Sequence, residues 1–241
     1  MATETTETTD GARSVEERQT DISAHMPDGD DRPAVAVDVA ILTVRERRLE
    51  VLLVRRRSPP FDAMWALPGC FVRGNESLEE AARGKLDEQA GVRDAYLEQL
   101  YTFGEPDRDP RMRVITVVYY ALIRPDAFQL PSGPEADDAR LCWAYEVPPL
   151  AFDHGAILDY TLLRLRSKLE YTTIGFQLLG ERFTLSELQE VYEAILNRPL
   201  DKRNFRKKLL LTRIVEPTPY TKMVGQHRPA VLYRFNPRAS K

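Results

Sequence analysis

Two apolar runs rich in β-branched residues, AVAVDVAILTV from residue 34 and LEVLLVRRR from residue 49, flank a charged turn at 45–48 and predict a β-hairpin. Ser77 is placed to cap a helix whose first turn carries Glu79 and Glu80, and Gly91 stands where a C′ glycine ends one. A short strand at 96–101, the run VITVVYYALI from 114 and RLCWAYE from 140 follow. This is a sheet with an inserted helix and no internal repeat, the α+β class.

After VPPL at 147–150 the apolar period turns helical. Leu158, Leu162, Leu165 and Leu169 recur at spacings of four, three and four, one stripe expected to connect two domains or to pair two subunits. In FTLSELQEVYEAILN, Thr184 and Glu187 form a capping box, with Leu185, Leu188, Tyr192 and Ile195 inward. LDKRNFRKKLLLTRI is a second helix begun by Asp201, and IVEPT and AVLYRF are strands flanking the loop PYTKMVGQHRP. Helix, helix, strand, wing and strand make a winged helix-turn-helix. The expected divisions are a disordered acidic tail over 1–32, a first domain over 33–150, a linker or dimerisation helix over 151–180 and the winged helix over 181–241.

The 241 residues, 43% of them hydrophobic, are enough for a core of this kind. No run approaches the roughly 18 apolar residues of a membrane span, and the start lacks the apolar segment of a secretory signal, so the expectation is a cytoplasmic protein with no membrane partner. Cys70 and Cys142 make no ligand cluster and read as small buried hydrophobes. Three histidines, far apart in sequence, argue against a histidine metal site. The net charge of -3 conceals a segregation: residues 1–31 hold nine acids against two bases, whereas residues 182–241 hold thirteen bases against five acids. A basic last quarter points either to a solvated face or to a polyanion partner.

The stretch WALPGCFVRGNESLEEAARGKLDEQAGV, residues 65–92, resembles a Nudix box, a glycine, five residues, a glutamate, seven residues, then Arg-Glu-aliphatic-x-Glu-Glu-x-Gly-aliphatic. Glu76, Leu86, Glu88, Gly91 and Val92 fall on matching positions. Cys70 takes the place of the first glycine, Gly84 that of the arginine, Lys85 that of the first glutamate of the triplet and Gln89 that of the last. The resemblance implies a Nudix-like α/β/α sandwich. It also implies a reaction in which magnesium neutralises a diphosphate and activates water, its oxygen ligands coming from glutamates on one helix face. Three such carboxylates would carry three negative charges, whereas Lys85, Glu88 and Gln89 sum to zero. The reading is a pocket kept without its metal: no cofactor, no tightly bound magnesium, no catalytic residue.

YTFGEPDRDPRMRVITVVYY supports such a pocket. Its loop crowds Asp107, Arg108, Asp109, Arg111 and Arg113 at the start of a strand, and arginine forks suit diphosphate oxygens. Trp65 or Phe71 is available to stack on adenine. The expected ligand set is Trp65, Phe71, Glu76, Asp109, Arg111 and Arg113.

A degenerate Nudix domain followed by a winged helix resembles the NrtR family, Nudix-related transcriptional regulators of NAD metabolism. TFGEPDRDPR, FTLSELQEVYEAILNRPLDKRNFRKKLL and RPAVLYRF carry this resemblance, which runs from about residue 33 to 236. It implies a homodimeric repressor of NAD biosynthesis or salvage genes that binds double-stranded operator DNA and senses ADP-ribose or a relative. The alternative is an active Nudix hydrolase with an accessory nucleic-acid-binding tail. Independently of the family, at about 100° per residue Arg203 and Lys207 lie opposite Phe205, with Asn204 and Arg206 on the flanks, a face able to enter a major groove. Lys202 adds to this face, Arg182 and Thr184 at the preceding helix start are candidates for backbone phosphate, and Lys222, His227 and Arg228 are candidates on the wing.

Overall fold

The computed structural model describes residues 32–129, 138–223 and 229–239. Strand β1 (Ala34–Arg45) is its axis, with scarcely an exposed residue before Arg45. It runs parallel to β6 (Val114–Leu122) on one side, from Ala34 opposite Val114 to Leu42 opposite Leu122. On the other side its end pairs with β2 (Arg48–Arg55) and its start with β4 (Gly69–Phe71), both antiparallel. The sheet is completed by β3 (Trp65–Ala66) and β7 (Ala139–Trp143) beside β2, and by β5 (Tyr96–Phe103) at the far edge beyond β6. The expected hairpin closes through a two-residue turn in which Glu46 and Arg47 both have positive φ, 48° and 64°, the primed geometry that matches strand twist.

Alternation along β1 splits the core in two, because successive side chains leave a strand on opposite faces. Val37, Val39 and Ile41 point to helix α1 (Leu78–Ala90), which buries Ala81, Ala82, Leu86 and Ala90 against them. Ala40, Leu42 and Val44 point to helix α2 (His154–Tyr171). A strand covered on both faces has to be apolar at consecutive positions, as AVAVDVAILTV is. The result is the expected α/β/α sandwich.

The leucine stripe is a correction in part. Leu158, Leu162, Leu165 and Leu169 are all buried within this chain, in one core with Leu49, Val51 and Leu53 and with Val191, Ala194 and Ile195 of helix α3 (Leu185–Leu196). These four leucines join the sheet to the winged helix. Helix α4 (Lys202–Thr212) and the hairpin of β8 (Val215–Lys222) and β9 (Ala230–Phe235) complete the winged helix, with Phe183 bridging to Tyr233. From Ala34 on, the chain forms one compact unit.

The caps follow the sequence. Ser77 and Glu80 form one capping box, Thr184 and Glu187 another, and Gly91 ends α1 at φ 64°. Asp201 accepts the Asn204 backbone N–H at 2.8 Å to start α4. Strands β3 and β4 lie within the Nudix-like stretch and were not expected. Both cysteines are free and half-buried, and burial pushes the Cys70 thiol up. Among the described residues no helix is long and apolar enough to cross a membrane.

Candidate functional site

A cleft of about 330 Å³ opens between the first halves of β1 and β4, the end of β2, the loop 104–113 and the start of α2. Of the expected ligand residues it brings together Phe71, Asp109 and Arg111. Asp109, buried beneath the loop, receives a fork from Arg111: Nε at 3.0 Å and Nη2 at 2.7 Å, with the Arg111 backbone N–H at 3.0 Å. Those hydrogen bonds outweigh burial and hold the Asp109 carboxyl below its usual range.

The other three lie elsewhere. Trp65 turns to the opposite side of β3 from Ala66, which lines the cleft, and packs against the α2-side core with the Arg140 guanidinium 4.0 Å over its ring. Strand alternation therefore removes it as a stacking platform. Arg113 donates to the Gly104 carbonyl at 2.6 Å and ties the two ends of the loop. Glu76 accepts the Arg73 backbone N–H at 2.8 Å in the turn before α1.

Residues outside the expected ligand set form the rest of the wall. Arg56 lies over the Phe152 ring at 4.6 Å, and Arg111 approaches the same ring at 5.9 Å. Burial and the neighbouring Arg111 charge both push the Arg56 guanidinium down, as expected where two cations face one space. At the floor Arg108, with its side chain 4% exposed, forks onto Asp153 at 2.9 and 2.6 Å and reaches Asp38 at 3.4 Å. His154 accepts the Leu67 backbone N–H at Nδ1, 2.9 Å, and turns Nε2 toward Asp38 at 3.6 Å. Arg56 is one of three consecutive arginines, and Phe152, Asp153 and His154 lie between VPPL and the leucine stripe, where no local pattern marks a site.

The Nudix-like helix presents its altered face as one closed set. Lys85 Nζ holds both oxygens of Glu88, at 2.9 and 2.7 Å, and Gln89 donates to the same carboxylate at 2.9 Å. Burial opposes the Glu88 charge, but Lys85 and Gln89 override it and keep its carboxyl below the usual range. This donor set does not fit magnesium: the one carboxylate is taken by an ammonium, and Gly84 supplies no side chain to brace it.

In the winged helix, Lys202, Arg203, Asn204 and Lys207 lie exposed on α4 while Phe205 and Leu209 turn inward, Phe205 against Tyr192 at 5.2 Å between centroids. The turn between α3 and α4 is fixed by Glu193, which accepts from Gln189 at 2.9 Å and from the Leu200 backbone N–H at 2.8 Å. Arg206 is half-buried and braces the two helices through Ser186 Oγ at 3.1 Å. Thr184 accepts the Glu187 backbone N–H at 3.1 Å in the capping box and, only 3% exposed, has little surface to offer a phosphate. Arg182 lies over the Tyr220 ring at 4.1 Å, and Lys222 pairs with Glu187 at 2.7 Å. His227 and Arg228 lie outside the described residues.

Fold and cleft together define a Nudix-type sandwich carrying a carboxyl-terminal winged helix. Comparison agrees: residues 32–160 match the NUDIX domain model and residues 175–235 the NrtR DNA-binding winged helix domain. The ADPR responsive transcriptional repressor NtrR of Acinetobacter baylyi is 39% identical over 207 residues, 84% of this chain and 82% of its own. The crystal structure of Shewanella oneidensis NrtR complexed with a 27mer DNA superposes with a TM-score of 0.74 at 34% identity, covering 86% of this chain and 95% of that one. The NUDIX domain of the same S. oneidensis protein, complexed with ADP ribose, gives 0.52 at 34% identity over 61% of this chain and 97% of its own. The chain belongs to the NrtR family.

Proposed function

We propose that this chain is a transcriptional repressor of NAD biosynthesis or salvage genes that binds near-palindromic operator DNA through α4 and senses ADP-ribose, or a related NAD metabolite, without hydrolysing it. The observation that carries this reading is the pairing of Lys85 with Glu88 beside a cleft lined by Arg56 and Arg111: cations face a diphosphate, and the helix face of Lys85, Glu88 and Gln89 that would bring the metal sums to zero charge. Binding a diphosphate requires only those cations, whereas cutting it in this fold requires the carboxylates that Lys85 and Gln89 displace.

Pairing of two chains falls to another surface than the leucine stripe. At the sheet edge Tyr101 on β5 is 54% exposed and Leu163 on α2 is 60% exposed, with Tyr160 between them, its ring 5.3 Å from that of Tyr101. An apolar patch on an open edge strand suits a twofold contact, and two α4 helices related by that axis read a near-palindrome.

A gel-shift assay on promoters of NAD biosynthesis and salvage genes, with and without ADP-ribose, tests the function. Sequence-preferring binding altered by ADP-ribose is expected. Binding indifferent to sequence removes the DNA reading, and AMP release from ADP-ribose and magnesium, lost in Glu88→Ala, favours the hydrolase instead.

A further inference from the structure

Resting on ADP-ribose-type binding in the cleft, we infer that the turn Phe152-Asp153-His154 at the start of α2 transmits cleft occupancy to the winged helix. Each of its residues holds a different wall. Phe152 lies under Arg56 and Arg111, Asp153 chelates Arg108 from the loop 104–113, and His154 holds the β3–β4 connection through Leu67 and faces Asp38 of β1. Just before the turn, Ala151 donates its backbone N–H to the Trp65 carbonyl at 2.8 Å. A diphosphate drawing on Arg56 and Arg111 therefore acts directly on the ring of Phe152.

The turn also has a second arrangement within reach. Asp153 occupies the N-cap position of α2, where a carboxylate ordinarily accepts the free amides of the first turn, yet its side chain makes no capping bond and is spent on Arg108. Phe152 beside it sits at φ 54°, a left-handed backbone that costs a non-glycine residue energy. Asp153 thus has two competing partners, the arginine of the cleft and the amides of its own helix. A bound anion that recruits Arg108 or shifts Phe152 changes the balance between them, the two-state element that coupling between sites requires.

Helix α2 carries the change. Its 18 residues span roughly 27 Å, and its far half is packed into the winged helix. Leu165 and Leu169 share a core with Val191 and Ile195 of α3, and Arg166 donates to the Ile195 carbonyl at 3.3 Å. A tilt or a recapping at the first turn is delivered to the helix that supports α4.

The test separates binding from response. Asp153→Asn keeps the shape and removes the charge that holds Arg108. ADP-ribose affinity is measured by calorimetry, and operator affinity by fluorescence anisotropy with and without saturating ADP-ribose. The expected result is ADP-ribose affinity within about threefold of the parent, but a ligand-induced change in operator affinity reduced at least tenfold, with the hydrogen-exchange response of the first α2 turn lost. A variant that binds ADP-ribose and shifts operator affinity as the parent does overturns the inference, as does parallel loss of both. Should Asp153→Asn not fold, Arg166→Gln, which loses the bond to the Ile195 carbonyl at the far end of α2 and lies outside the cleft, carries the same expectations for the two affinities. A parent whose operator affinity ignores ADP-ribose overturns the functional reading along with this one, so the two failures are told apart by the parent alone.

Discussion

Replacing His154 by asparagine should abolish a loss of stability that the parent suffers between pH 7.5 and 5.5. Burial holds the imidazole below its ordinary value of 6.5 despite the pull of Asp38 and Asp153, with Arg108 and Arg56 adding to the fall. Geometry says the same, since Nδ1 accepts the Leu67 N–H and cannot take a proton without breaking that bond. Below pH 6.5 the unfolded chain therefore binds a proton that the folded chain refuses, and stability must fall as pH drops through that value. The loss from pH 7.5 to 5.5 is at most about 1.4 kcal/mol, the limit set by protonation of the unfolded imidazole alone, or up to about 3–6 °C in Tm for a chain of this size. Asparagine keeps an acceptor for Leu67 in Oδ1 but does not titrate, so its melting temperature should lack this component even if its stability is lower at both pH values. Carboxylates such as Glu98 and Asp109, held below their usual range by hydrogen bonds that outweigh burial, lose their contributions only at lower pH. Calorimetric or denaturant melts of parent and variant at both pH values decide the matter. Equal losses in the two proteins, or a parent that gains stability on acidification, would refute the reasoning.

Three further outcomes are expected. Gly69→Ala should cost upward of about 1–3 kcal/mol in urea denaturation, because a β-carbon there would stand 2.1 Å from Asp38 Oδ1 and 2.9 Å from the Val37 carbonyl. Leu165→Ala should cost about 2–5 kcal/mol without altering the sedimentation behaviour of the folded protein, since this 1% exposed leucine is internal to the protomer. In anisotropy titrations at two salt concentrations, Arg203→Ala should cost about 1–3 kcal/mol and relax preference at one base, whereas Lys222→Ala, already paired with Glu187, should weaken all sequences alike and lower the salt slope by about one at most.

Local rules were legible from sequence because they are enforced by neighbours. The capping boxes at Ser77 and Thr184, the C′ glycine at 91 and the inward positions of α3 depend on backbone groups or side chains within a turn or two. So does the exposure of Arg203 and Lys207 opposite Phe205, and the loss of carboxylates from the Nudix-like helix is written at Lys85 and Gln89 themselves. The cleft was legible only as a loop. In a run such as Arg55-Arg56-Arg57 the strand period fixes that neighbours face opposite ways but not which one faces in; the pairing of β2 with β3, Arg55 opposite Trp65, turned Arg56 to the cleft. The same register sent Trp65 to the other face. The leucine stripe announced an apolar helix face but not its partner, since burying it against this chain's own sheet or against a second copy satisfies the same hydrophobic demand. Asp38, Arg108, Asp153 and His154 are up to 116 positions apart along the chain, and no local rule connects them. Asp38, Arg108 and His154 could be buried beside half-buried Asp153 only because the parallel pairing of β1 with β6 and the descent of α2 onto the sheet brought each one its partners, and that is a decision of the tertiary structure alone.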